Sequence, residues 1–407
     1  MASRIVGFGN IIGYVSGYVD LPHYLWFFGN TQFKVLCVIA CICLTSTLSL
    51  SIATVRERDP RLEGPPPKNK GGLIGFFKKV FKSIKRLPPQ TRKVCEVQFF
   101  AWIGFFPQLF YSSSYIGDIY VQPALEKNPN MSLDELNKLY ERATRVGTLA
   151  LLIYAITSLT TNVFLPFFIA PSYDLDDADS DYEVQEKSGL SKFLEKLIIP
   201  GLTLRRAWMI AHIIFSICMF LTLFVRSIAP AIALIGVVGV AWALTLWAPF
   251  AIISAEISKR DAVRRMHLAN NEPVEEEDQA GVILGIHNMS IAAPQILATV
   301  GSSIIFKLYQ KPRGTPGDRS IAIVLAAGGL FTLIAAFLTS RIEDEVVIDA
   351  DQEYTIVEEG AAPSGPMEGP PMLQRRSTER SERPRLSAEG RRSMTLIRSQ
   401  SYSGGNY

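Results

Sequence analysis

The chain has 407 residues, 48% of them hydrophobic and only 19% charged, with a formal net charge of +3 and a mean hydropathy of +0.20. Ordinary water-soluble domains carry about 25% charged residues and seldom show apolar runs near 20 residues, the length that crosses roughly 30 Å of hydrocarbon, so a soluble enzyme is excluded. A nucleic-acid binder is excluded as well, because such proteins gather Lys and Arg on one face of a domain, whereas here the charges are scattered in short stretches between apolar runs.

Runs able to cross a bilayer occur at residues 5–19, 35–55, 94–117, 146–170, 207–225, 228–255, 281–306 and 320–340, so the expected fold class is an all-α membrane protein with eight transmembrane helices. An even number of spans puts both termini on one side. The linker 56–93 is strongly basic, with Lys78, Lys79, Lys82, Lys85 and Arg86 among its cations against only Glu57, Asp59 and Glu63, which assigns it and the termini to the cytoplasm. Lys259, Arg260, Arg264 and Arg265 agree, while the loop from Lys307 to Arg319 is basic yet expected outside. The sequon Asn130-Met131-Ser132 falls in an outer loop, as glycosylation requires; Asn288-Met289-Ser290 lies within a span and is expected to be silent.

Within the linker, Leu73, Phe77, Val80, Phe81 and Ile84 recur at helical spacing opposite four lysines, the pattern of an interfacial helix on an anionic leaflet. The acidic run 174–186 lacks the Gly and Glu positions of a calcium loop and reads as a solvated cytoplasmic segment. From Glu343 onward apolar periodicity is lost, so residues 341–407 are expected to form a disordered cytoplasmic tail, in which Ser377, Ser393 and Ser399 follow arginines as kinase sites do. A regulatory tail and one without a role stay open.

Polar side chains inside spans mark a substrate or ion path by default. The third span carries Glu96, Gln98, Trp102, Gln108, Tyr111 and Ser112-Ser113-Ser114; the seventh carries His287, Asn288 and Gln295, with Pro294 permitting a bend; Glu256 closes the sixth. Aromatic faces and uncharged amides suit a neutral, polyhydroxylated ligand, and Asn288 and Gln295, seven residues apart, share one helix face. His212 and His287 are each also compatible with a satisfied bundle histidine. The five cysteines, Cys37, Cys41, Cys43, Cys95 and Cys218, have no metal-site spacing, and no cofactor is expected. Phosphate loops, HExxH and nucleophile elbows are missing from the sequence, which favours transport over catalysis.

Three strings, FFAWIGFFPQLFYSSSYIGDIY (99–120), LTLWAPFAIISAEIS (244–258) and GVILGIHNMSIAAPQILATVGSSIIF (281–306), together with Gly9, Asn10, Gly13 and Tyr14 near the start, closely resemble the sucrose transporter family, the glycoside-pentoside-hexuronide cation symporters of the major facilitator superfamily. The resemblance implies a partial major facilitator fold in which the eight spans match helices five to twelve and the first four are lacking. Residues 1–55 then hold the last two helices of the N-terminal half, 56–93 the central cytoplasmic linker, and 94–340 the C-terminal half.

It further implies proton-coupled symport of sucrose or a related α-glucoside by alternating access, in a plasma or vacuolar membrane, with sugar and protons as partners. Substrate contacts are expected at Asn10, Trp102, Gln108, Tyr111, Ser112, Asn288 and Gln295, and proton coupling at Glu256 or His287. Plant members have Asp-Thr-Asp where this chain has Ser112-Ser113-Ser114, so no coupling carboxylate carries over there. A non-transporting membrane sensor of sugar, or a modulator of an intact transporter, is the alternative.

Overall fold

The computed structural model describes residues 2–55, 82–85, 87–170, 196–269 and 280–344. The acidic run, the tail beyond Asp344 with Ser377, Ser393 and Ser399, and the interfacial helix other than residues 82–85, which are helical, lie outside the described residues.

Nine helices of thirteen residues or more make up the architecture of the described residues, alongside a few single turns and with no strand among them: α1 (Ala2–Tyr18), α2 (Gln32–Thr54), α3 (Pro89–Lys127), α4 (Leu133–Phe164), α5 (Leu204–Leu221), α6 (Ile228–Ala269), α7 (Ala280–Ala292), α8 (Pro294–Tyr309) and α9 (Ser320–Thr339). Helices satisfy every backbone polar group internally, which lipid demands. Six stretches are both long and apolar enough to cross a bilayer: 32–54, 133–167, 204–221, 228–263, 281–309 and 320–339. The two remaining expected spans are helical but fall short of that standard for different reasons. Helix α1 has only 17 residues; α3 has 39, but its amides, hydroxyls and Glu96 dilute its apolar character.

Two boundaries differ from expectation. Helix α4 starts at Leu133 rather than Val146, because Ser132 and Glu135 form a capping box: the Glu135 amide donates to Ser132 Oγ (3.3 Å) and the Ser132 amide to Glu135 Oε2 (3.1 Å). The seventh span is broken where Pro294 lacks an amide proton, as its bend was expected to be. The Ala293 amide makes the last bond of α7, to the Met289 carbonyl at 2.9 Å, and α8 restarts at Pro294.

Helix α3 sits at the centre, packed against α4, α6, α7, α8 and α9. Its closest approach is to α9, where a Cβ added to Gly328 would lie 3.0 Å from the Gly104 carbonyl oxygen, and one on Gly104 would collide with Gly328 in turn. Lipid tails are as apolar as Leu, so helices in a bilayer associate through such backbone contacts and through interhelical hydrogen bonds. Ser216 and Thr332 hydroxyls meet at 2.8 Å and His212 Nδ1 meets Thr339 Oγ1 at 3.2 Å, tying α5 to α9. Phe105, Tyr154, Trp208, Phe215, Trp242 and Leu325 fill the shared core.

Helix α1 lies along α4, pinned by the 3.1 Å ion pair between Asp20 and Arg145. Gln32, at the start of α2, donates through Nε2 to the carbonyls of Ser16 (2.9 Å) and Val19 (2.8 Å), satisfying the end of α1.

At the end of the bundle where the linker 56–93 enters α3, the residues after α9 are fastened down. Asp344 accepts from Arg205 (2.9 and 2.5 Å) and from Thr203 Oγ1 (2.7 Å), and Glu343 pairs with Lys93 at 2.6 Å. The Arg205 hydrogen bonds hold the Asp344 carboxyl below its usual value. Residues 341–344, assigned to the tail from sequence, are therefore part of the ordered bundle.

Candidate functional site

Midway along α3, Trp102 meets Trp242 of α6 edge-on, with ring centroids 5.8 Å apart and planes at 71°. Phe106 lies 5.1 Å from Trp102, and Tyr154 of α4 lies 6.4 Å from Trp242. Three helices thus contribute to one aromatic wall. Among these rings the indole nitrogens of Trp102 and Trp242 are buried without a hydrogen-bond partner among the described residues, and Gln108 lies within hydrogen-bonding reach of the buried Tyr154 hydroxyl. Buried polar atoms are nearly always paired, since leaving one unsatisfied costs about 1–3 kcal/mol. The Nε2 of Gln108 donates to Ser112 Oγ at 3.2 Å, which fixes the amide's orientation and leaves its oxygen free to accept. Gln108 and Tyr14 of α1 are the polar neighbours of Tyr154.

One turn toward the linker end, Gln98 bonds to Nε2 of His287 on α7 at 3.2 Å, and Phe250 of α6 packs edge-on against the imidazole at 4.7 Å. The other ring nitrogen of His287 has no partner among the described residues.

Glu256 is buried and occupied. Its Oε1 accepts the Gln90 amide at 3.1 Å, and its Oε2 accepts both the amide and the hydroxyl of Thr91 at 2.6 Å. These are first-turn groups of α3, which begins at Pro88-Pro89 with no side-chain cap of its own. A carboxylate at a helix N-terminus satisfies orphan amides and complements the dipole, so Glu256 serves as the cap of α3, contributed by a neighbouring helix.

The remaining expected site residues are dispersed. Tyr111 stands edge-on to Phe306 of α8 at 5.1 Å, and Asn10 is half-buried on α1. Asn288 and Gln295 are exposed; the break at Pro294 puts them on separate helices rather than on one continuous face. Thus Trp102, Gln108 and Ser112 come together, whereas Asn10, Asn288 and Gln295 share no hydrogen bond or ring contact with them among the described residues.

No protein-family profile matches the chain. It is 30% identical over 386 residues to the general alpha-glucoside permease of Schizosaccharomyces pombe, covering 83% of this chain and 65% of that protein. The sucrose transport protein SUC4 of Arabidopsis thaliana is 21% identical over 370 residues, 83% of this chain and 60% of its own length, and the MFS-type transporter cctQ of Talaromyces islandicus is 32% identical over 143 residues, 35% of this chain and 54% of its own length. Over most of its length the chain is thus similar to a permease and to a sucrose transport protein. It spans less than two thirds of the length of the permease and of the sucrose transport protein, and all three relatives are transporters rather than enzymes.

Sequence reasoning missed Trp242 and Tyr154. Both sit in strings, WALTLWAPF and LLIYAITS, that read as ordinary apolar span. The available signal was polar tips, an indole N–H and a phenol, near the middle of a span rather than in the interfacial belt where such residues gather.

Proposed function

We propose that the chain acts in proton-coupled symport of sucrose or a related α-glucoside by alternating access, with its linker end in the cytoplasm and its membrane the plasma or vacuolar one. The observation that carries this reading is the group of buried polar atoms on Trp102, Gln108, Tyr154 and Trp242, of which the two indole nitrogens have no partner among the described residues. Two indole N–H donors, an amide acceptor and a hydroxyl between aromatic faces match a sugar, whose C–H faces stack on rings and whose hydroxyls both donate and accept. None of these side chains is charged, which suits a neutral ligand. The fission yeast relative is named for alpha-glucosides and the Arabidopsis relative for sucrose.

Asn10, Asn288 and Gln295 line the path on either side of this cluster; an amide facing lipid at mid-membrane is costly, and a polar path relieves that cost. Tyr111 and Ser112 continue the path along α3. His287, with one ring nitrogen open and a neutral amide on the other, handles the proton within the bundle, while protonating Glu256 releases the first turn of α3.

The test is sugar binding and uptake by the full chain in proteoliposomes. Gln108→Ala and Trp242→Phe, which keeps the ring and removes the N–H, are each expected to weaken sucrose or maltose binding about tenfold, the effect of one hydrogen bond of about 1.4 kcal/mol. Unchanged binding in both variants overturns the site. Binding without pH-driven uptake supports the sensor or modulator reading instead.

A further inference from the structure

At the end of the bundle opposite the linker, two cavities of about 310 and 380 Å³ lie side by side. Asp118, Gln122, Asp318 and Ile321 line both. Asp118 is the first residue of α3 beyond the span 94–117, and it stands between the two spaces.

The segment from Gln310 to Arg319 folds over this end of α3. Two of its glycines, Gly314 and Gly317, take left-handed φ values of 86° and 78°, and the Gly317 amide donates to Gln122 Oε1 at 2.7 Å, docking the segment one turn from Asp118. Asp318 is fully engaged: its Oδ2 accepts the Lys311 amide at 3.1 Å and its Oδ1 accepts the Ser320 amide at 2.8 Å, at the start of α9. Asp118 accepts no hydrogen bond and joins no ion pair among the described residues.

Its charged and titratable surroundings come from four elements: Tyr115 and Glu126 of α3, Tyr140 of α4, Arg226 before α6, and Lys311, Arg313, Asp318 and Arg319 of the docked segment. Lys311 Nζ is directed to the Pro316 carbonyl at 3.2 Å, and Arg313 stacks on the Tyr140 ring at 4.5 Å. Burial first, and the neighbouring Asp318 charge second, push the Asp118 carboxyl up to about 7. A like charge across a confined space raises the cost of ionising Asp118, whose carboxyl, unlike that of Asp318, accepts no hydrogen bond among the described residues.

We propose that Asp118 is the proton-binding site open to the medium at this end of the bundle, and that its ionisation opposes Asp318 and loosens the segment 310–319 from α3. It rests on the orientation and proton coupling proposed above, under which this end faces outside and a proton is taken up before the sugar moves inward. The neutral acid lets the segment seat on Gln122; the carboxylate repels Asp318 and favours an open mouth between the cavities.

The experiment is infrared difference spectroscopy of the full chain in lipid across a pH series, with sucrose binding measured in parallel. Wild type is expected to show a protonated-carboxyl band titrating near pH 7. Asp118→Asn abolishes that band, and Asp318→Asn, which removes the like charge, moves its midpoint to lower pH. Hydrogen-exchange protection of residues 310–319, taken relative to the intrinsic base-catalysed rate, is expected to fall as pH rises in wild type and to stay constant in Asp118→Asn. A band near pH 7 that survives Asp118→Asn, or a midpoint unmoved by Asp318→Asn, overturns the proposal. Titration without sucrose binding leaves the proton site standing and refutes the sugar reading; sucrose binding without the band does the reverse.

Discussion

Helices α2 and α9 are similar in length, 23 and 20 residues, and both are apolar enough to cross a bilayer, yet α2 buries only Val35 while α9 buries twelve residues. Apolarity decides that a segment enters lipid and says nothing about whether it packs. What separates the two is the placement of small and hydroxylated residues. In α9, Gly328 and Gly329 admit neighbouring backbones, and Thr332 and Thr339 reach across to α5. Thr332 and Thr339 also bond to carbonyls of their own helix, as Thr47 and Thr54 of α2 do at Cys43 and Leu50; the difference is that the α9 hydroxyls have a second, interhelical partner and those of α2 have none among the described residues.

The sharpest way to break this contrast is to add bulk where backbones touch. Gly328→Leu is expected to destabilise the bundle by about 3 kcal/mol, the upper part of the overpacking range, whereas Ser46→Leu on exposed α2 stays within about 0.5 kcal/mol; thermal unfolding in detergent compares them directly. Next in size, Glu256→Ala leaves the first amides of α3 uncapped and is expected to cost about 2 kcal/mol, with exchange of the Gln90 and Thr91 amides rising. Removing one interhelical hydroxyl bond with Thr332→Val is expected to cost about 0.6 kcal/mol, the average for such bonds in membranes, and Thr47→Val on α2 less than that. An equal cost for both threonines would show that the α5–α9 bond has no special weight.

Two carboxyls give the bundle a pH dependence with opposite signs. Asp118 binds its proton more tightly folded than unfolded, so its contribution to stability is complete below the ordinary value of 3.8 and is lost as pH rises toward about 7. Asp344, held low by Arg205, contributes above the usual carboxylate value and loses that contribution as pH falls through its depressed one. Unfolding midpoints of Asp118→Asn and Asp344→Asn across this range separate the two, and the same slope in both variants would refute the assignment.

Much of the fold was legible because lipid imposes simple rules. All eight expected spans coincide with helices, and Pro294 breaks the seventh where a missing amide must. The start of α4 was missed by thirteen residues, because the apolar run alone sets the span, while the capping box of Ser132 and Glu135 carries the helix beyond it. What else escaped was set by distant partners. Glu256 looked like a lone acid in a span because the amides it caps lie about 165 residues earlier in the chain. Asn288 and Gln295 looked like one face because a helical wheel takes the helix as unbroken. Trp242 and Tyr154 gain their meaning only when α3, α4 and α6 meet.

The central position of α3 bears on how the protein is made. The helix that touches most of its neighbours is also the one whose amides, at Gln98 and Gln108, and hydroxyls, at Ser112 to Ser114, are least at ease in bare lipid. Helix α4 follows α3 directly, but α9, which seals it at Gly104, is synthesised last of the nine. Gln98 is met by His287 of α7, Gln108 by Tyr154 of α4 and Ser113 by Gly147 of α4, so these polar groups gain their partners before α9 is made, and the Gly104 face of α3 is the part that waits for the final helix.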